Sequence, residues 1–205
     1  MFLPYIHVER LGTEETEGIL NGEVEVTPKM DGTNACIWWD NGMHAASRKR
    51  EIVTQRDNAG FARWIFDDSP TVRVLREICK EKPEWIIYGE WMGYDKFVGS
   101  IKDYDDEALG RFFVFDVLDT VEGKYLPRRE WASLEPSLEK FAVPVLGVLS
   151  NPTEEDVLAV AEQNRYMLEH ANHNGEGVVL RNDSFVNRFG RQARAKVVLD
   201  EYKQN

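Results

Sequence analysis

Residues 26–39 read VTPKMDGTNACIWW. Apolar and β-branched residues fill both ends of this stretch, while Lys29, Asp31 and Gly32 interrupt its middle. Lysine and aspartate are poor strand residues, and glycine weakens a strand interior. The stretch therefore reads as two strands meeting at a joint, and the joint serves something other than strand formation. Upstream, GEVEVTPK alternates apolar and polar positions as a half-buried strand does. Downstream, NACIWW and MHAAS flank Asp40-Asn41-Gly42, a turn signal that predicts a hairpin.

Further along, helical periodicity appears in DNAGFARWIF and again in PTVRVLREICKE, where Pro70 suits a first helical turn. WIIYGEWM and RFFVFDVL, rich in aromatic and β-branched residues, read as central strands. REWASLEPSLEKF is a weaker helix split by Pro136. Residues 153–171 make the strongest helix: Thr153 and Asp156 resemble a capping box, and Val157, Val160, Ala161, Met167 and Leu168 supply an apolar face. EGVVLRN and ARAKVVL follow as strands. Hairpin strands with helices inserted between them predict an α+β fold with antiparallel sheets and a cleft. No linker or repeat breaks the chain, so residues 1–205 are expected to form a single domain. The glycine signatures of Rossmann and P-loop nucleotide sites are missing.

With 42% apolar and 30% charged residues the chain has the balance of a globular protein. No apolar run approaches the roughly 20 residues of a membrane-spanning helix. Cys36 and Cys79 fit no metal or redox spacing and read as small buried hydrophobes, which places the protein in the cytoplasm. A net charge of −11 opposes indiscriminate binding to nucleic acid. It leaves room for local basic patches: Arg48-Lys49-Arg50, and a group from Arg181 to Lys196 that includes Arg188, Arg191 and Arg194. Such runs usually form solvated faces.

Four charges break strand patterns: Lys29 ends one strand, Glu90 interrupts WIIYGEWM, Glu176 opens EGVVLRN, and Lys196 sits within ARAKVVL. A charge buried alone costs several kcal/mol, so each needs a partner or an exit to solvent. If they converge, two lysines and two or three carboxylates suit a nucleoside triphosphate with Mg²⁺. Lys29, in the most unusual context, is then the nucleophile. A free lysine titrates near ~10.4, so its amine needs a nearby cation to attack unprotonated. Gly32 would let backbone approach the ligand closely.

Lys29-Met30-Asp31-Gly32-Thr33-Asn34 resembles the K-x-D-G attachment motif of covalent nucleotidyltransferases, the superfamily of ATP-dependent RNA and DNA ligases and mRNA capping enzymes. The added Thr33-Asn34 is most similar to the RNA ligase 2 branch. Other family motifs follow in order. Ser47-Arg48 resembles the second, which implies that Arg48 contacts the nucleotide or the RNA end. Tyr88-Gly89-Glu90 resembles the third, whose glutamate meets the ribose. Phe113-Val114-Phe115-Asp116 resembles the next, whose aromatic stacks on adenine, and Phe115 is favoured over Phe113. Glu176-Gly177-Val178-Val179 resembles the fourth, with a metal-site glutamate. Ala195-Lys196-Val197 resembles the fifth, whose lysine meets the α-phosphate. The resemblance spans residues 22–202.

It implies a nucleotidyltransferase (adenylation) domain around an ATP cleft, using ATP with Mg²⁺ or Mn²⁺. Lys29, Asp31 and Lys196 would be catalytic, and Asp31 and Glu176 would hold the metal. Arg48, Lys49 and Arg50 would receive RNA bearing 5′-phosphate and 3′-hydroxyl ends. The sequence departs from the family in three places. Lys196 has Val198 where a second lysine is usual, so either Arg194 takes the second role or one phosphate contact is missing. Pro28 replaces the glutamate that often helps to read adenine. No C-terminal OB or helical domain follows, so a protein partner or self-association is expected to take its place. Two other readings stay open: a DNA nick ligase or GTP-dependent guanylyltransferase of the same superfamily, and a nucleotide- or RNA-binding module without chemistry.

Overall fold

The computed structural model describes residues 2–95, 104–168 and 173–200. In chain order the strands are β1 (Glu9–Arg10), β2 (Glu23–Pro28), β3 (Thr33–Trp39), β4 (Met43–Ser47), β5 (Trp85–Trp91), β6 (Phe112–Asp119), β7 (Lys124–Tyr125), β8 (Gly147–Ser150), β9 (Gly177–Arg181) and β10 (Ala195–Val198). The helices are α1 (Phe61–Ile65), α2 (Pro70–Glu81), α3 (Arg128–Leu134) and α4 (Glu154–Gln163). The fold is α+β, with sheets that are antiparallel except where β1 joins β10. The chain divides into two compact units. One comprises Met1–Tyr5, Gly32–Gly99 and Asp106–Ala142; the other comprises Ile6–Asp31, Ser100–Asp105 and Val143–Asn205. Each unit is assembled from three separated segments, so no linker marks the division in the sequence.

The first unit is a five-stranded sheet of order β4-β3-β5-β6-β7. Successive strand residues face opposite sides. Ile37, Ile87, Trp91, Phe112 and Val114 therefore turn to one face, where they pack with buried residues of α1, α2 and α3. α2 forms because its apolar residues recur at helical spacing: Val72, Leu75, Ile78 and Cys79 are all buried. Ser69 caps it by accepting the Val72 N–H at 3.3 Å, and Pro70 occupies its first turn. Each of these apolar side chains contributes about 1.5–3 kcal/mol by leaving water. Among the described residues Cys36 and Cys79 are free and buried, and burial pushes the Cys36 thiol up to about 12.

The second unit is a sheet of order β1-β10-β9-β2-β8. Val24 and Val26 of β2, Val178 and Leu180 of β9, and Ala195 of β10 turn to one face, which α4 covers with Val157 and Ala161. Thr153 and Asp156 complete the capping box, each side chain bonding the other's backbone N–H. The expected helix over 153–171 stops at Gln163. Asn164 leaves helical geometry, Met167 takes a positive φ of 54°, and Leu168 bridges to Tyr104. Residues 169–171 of that expectation lie outside the described residues. An isolated bridge to Tyr104 and a bond from the Asp105 N–H to the Met167 carbonyl thus take the place of the helix that the apolar periodicity of Met167 and Leu168 suggests.

Candidate active site

In the second unit, backbone pairing fixes the joint of the opening stretch. β2 runs antiparallel to β9 with Pro28 opposite Val178. One bond continues past the strand, from the Lys29 N–H to the Gly177 carbonyl at 3.0 Å. This register brings position 29 beside 176, and the Lys29 Nζ lies 2.5 Å from a Glu176 carboxylate oxygen. Glu176 is held on its other side by its carbonyl, which accepts the Leu199 N–H at 3.0 Å. Gly177 has a φ of 148°, and a side chain there would overlap the Val197 carbonyl, so glycine is what lets β9 run against β10. The same sheet carries Thr27, Val179 and Lys196 in one cross-strand row.

The Glu176 side chain is only 17% exposed. Burial raises its pKa above the ordinary carboxylate range, Lys29 and Lys196 pull it back down, and Asp31 pushes it up. One carboxyl therefore feels both lysines and the other acid, so Lys29, Asp31, Glu176 and Lys196 share a single electrostatic neighbourhood. The Asp31 N–H donates to the Tyr104 hydroxyl at 3.0 Å, and Met30 between the two motif residues is buried. Arg194, two residues before Lys196, is buried, and its Nη1 donates to the Ala193 carbonyl at 3.2 Å. Among the described residues no group of three or more His, Cys, Asp and Glu gathers to enclose a metal. Two carboxylates suit Mg²⁺ or Mn²⁺ of the kind that completes its shell with water and substrate phosphate.

In the first unit, the backbone N–H of Gly32 donates to Glu90 Oε1 at 3.2 Å. A Cβ at Gly32 would strike the Trp91 carbonyl and lie 3.0 Å from the Met92 sulfur. Glycine at position 32 thus admits β3 against β5, a structural demand beside the expected one of ligand approach. Glu90 and Tyr88 face away from the helix-covered side of their sheet. The β5–β6 register shifts between Tyr88, opposite Asp116, and Gly89, opposite Val114. Phe115 is the extra residue of this bulge, a feature that re-aims a side chain. It is half-buried, whereas Phe113 is buried under the Arg111 guanidinium. Phe115 is therefore the more accessible aromatic of the pair.

Tyr5 supports Phe115 with ring centroids 4.9 Å apart, and its hydroxyl donates to Asp116 at 2.8 Å. The three consecutive cations separate in role. Arg48 and Lys49 are exposed. The Arg50 guanidinium donates to the carbonyls of Arg56 and Asp57 at 2.8 and 3.0 Å, which ties down its own loop. Arg50 is half-buried and has a structural role in its loop, whatever its part in RNA binding, whereas Arg48 and Lys49 stand more fully exposed. Sequence reasoning missed Tyr5 and Tyr104, which bond Asp116 and the Asp31 N–H. Tyr104 sits in an acidic run, so it breaks no pattern.

The chain resembles solved structures of an RNA ligase from Naegleria gruberi. A mutant bound to AMP and Mn superposes with a TM-score of 0.70 at 22% identity. A second mutant, with ATP and Mn, gives 0.66 at 21%. The ligase with pyrophosphate gives 0.65 at 23%. Each covers 98% of this chain, which spans 57% of the ligase chain. No curated protein sequence matches. The RNA ligase family model matches residues 22–198, and the chain accordingly belongs to the RNA ligase family.

Proposed function

We propose that the chain is the nucleotidyltransferase domain of an ATP-dependent RNA ligase acting through a lysyl-AMP intermediate. The observation that carries this reading is the Lys29–Glu176 contact at 2.5 Å, within a neighbourhood that also holds Asp31 and Lys196. The Lys29 amine, once unprotonated, attacks the α-phosphorus of ATP. A P–N bond forms, the bond to pyrophosphate breaks, and the amine proton leaves to solvent. The adenylyl group then passes to an RNA 5′-phosphate, and a 3′-hydroxyl attacks that phosphorus and expels AMP. Such transfers depend chiefly on positioning and charge stabilisation.

Lys196 is assigned to the α-phosphate, Glu90 to the ribose and Phe115 to the adenine. Arg48 and Lys49 are assigned to the RNA 5′-phosphate. Asp31 and Glu176 would hold Mg²⁺ or Mn²⁺, which when bound offsets charge on the phosphates. Naegleria gruberi RNA ligase has been captured with ATP and Mn, which supports the choice of nucleotide and metal. The buried free thiols suit a reducing, cytoplasmic setting.

The reading is tested by incubating the protein with α-labelled ATP or GTP and resolving it by denaturing electrophoresis. Label from ATP is expected on wild type. Lys29→Ala should lose it by about 10³-fold or more, with circular dichroism unchanged. Label from GTP alone would replace the ligase with a guanylyltransferase. No label from either, with ATP binding intact by calorimetry, would leave a binding module. Sealing of nicked RNA duplex, nicked DNA duplex and single-stranded RNA then separates the polynucleotide substrates.

A further inference from the structure

The three-residue segment that carries Glu176 is bonded on both sides to one buried side-chain-bearing residue outside the recognised motifs. Asn164, just past α4, is 3% exposed. Its backbone carbonyl accepts the Gly175 N–H at 2.9 Å. Its Nδ2 donates to the Gly177 carbonyl at 3.0 Å. Its Oδ1 accepts the Tyr166 N–H at 3.1 Å. The Gly177 carbonyl is the same oxygen that takes the Lys29 N–H. The fit is close, since a Cβ on Gly175 would stand 2.6 Å from Asn164 Nδ2.

We propose that Asn164 is a positioning residue for adenylyl transfer, clamping residues 175–177 so that Glu176 and Lys29 keep their register. The inference rests on the adenylylation reading above and deepens it. Asn164 acts through the backbone of the Glu176 segment and needs no contact with nucleotide. Its Nδ2 bond is the part of this clamp that a substitution can remove while leaving every main-chain bond in place. Outer partners that orient a first set of ligands typically matter by about 10–100-fold when lost. A displacement of about 1 Å at a reacting group costs on the order of 10²-fold.

Two variants and two readouts test it. Asn164→Asp keeps the side chain's size and its acceptor for Tyr166, but has no donor for Gly177. Asn164→Ala removes both bonds. Single-turnover label transfer from ATP is expected to slow by about 10–100-fold in both variants. Half-saturation by ATP should stay within about twofold, because the nucleotide's own contacts remain. Amide hydrogen exchange at Lys29 should quicken in both, while Val26 and Leu180 deeper in the sheet keep their protection. A rate and a Lys29 exchange equal to wild type in Asn164→Asp would overturn the inference. If wild type takes no label, the adenylylation reading fails, and exchange at Lys29 alone then decides whether Asn164 holds this segment.

Discussion

At the scale of single residues, Glu176 shows a conflict between stability and chemistry. Its carboxyl is buried beside Lys29, yet burial outweighs the two lysines and leaves its pKa raised. A carboxyl raised on folding gives stability that is whole below its unfolded titration and is lost as pH climbs through the folded one. Ionising this group in the folded protein therefore costs the fold free energy. Glu176→Gln is expected to melt a few degrees higher than wild type at pH 7. The gap should close as pH falls below the ordinary glutamate range, ~4.3, where both side chains are neutral. Lys29 is 25% exposed and can turn to water once its partner is gone. The same variant should lose label transfer. Thermal melts across pH check the first expectation, and a variant less stable at pH 7 would contradict it. Lys29, Glu90, Glu176 and Lys196 were legible in the sequence because charge inside a strand is conspicuous. Tyr104 and Asn164 were not, because a polar residue in a loop or at a helix end violates nothing.

Among the elements, strands with strong composition were read nearly to the residue, and α2 matches its periodic segment from Pro70 to Glu81. The short edge strands β1, β7 and β8 went unread. Two of them have only two residues, and β8 exposes Val148, so neither length nor alternation announces them. Glycine separates elements that look alike in sequence. Gly177→Ala would drive a methyl into the Val197 carbonyl at a φ of 148°. It should destabilise the protein by about 2–4 kcal/mol, seen as a lower urea midpoint with unchanged slope. Stability equal to wild type would mean that β9 and β10 pair less closely than described. Arg50 makes a parallel case. Its guanidinium holds the Arg56 and Asp57 carbonyls. The Asp57 carboxylate in turn accepts the N–H groups of Ala62 and Arg63 at the start of α1. Arg50→Ala should cost about 1.5–3 kcal/mol, the worth of one hydrogen bond from a charged group, since one of these two bonds is exposed and water replaces it. Lys49→Ala, at an exposed position, should change stability by no more than about 0.5 kcal/mol. Three adjacent cations look equivalent in sequence; only the bonded loop tells them apart.

For the whole molecule, charge sets how the proposed RNA substrate would be held. A net charge of −11 repels bulk phosphate, so affinity cannot come from a broad electrostatic field. With Arg50 committed to its loop, Arg48 and Lys49 are the exposed cations of that run. Each phosphate neutralised on a single strand contributes roughly −0.7 to the slope of log affinity against log salt. Two such contacts predict a slope between about −1 and −2 for single-stranded RNA bearing a 5′-phosphate. Lys49→Ala should flatten it by about 0.7, and uniformly across RNA sequences, because a phosphate contact carries no base information. Fluorescence anisotropy titrations from low to physiological salt measure both quantities. A slope steeper than about −4 would require several more phosphate contacts than this pair of cations makes. Arg188 and Arg191, exposed on the loop before β10, would then be the next to substitute, although Arg188 already pairs with Glu14. A slope within the expected range would agree with the proposed grip on the RNA 5′-phosphate by Arg48 and Lys49 alone.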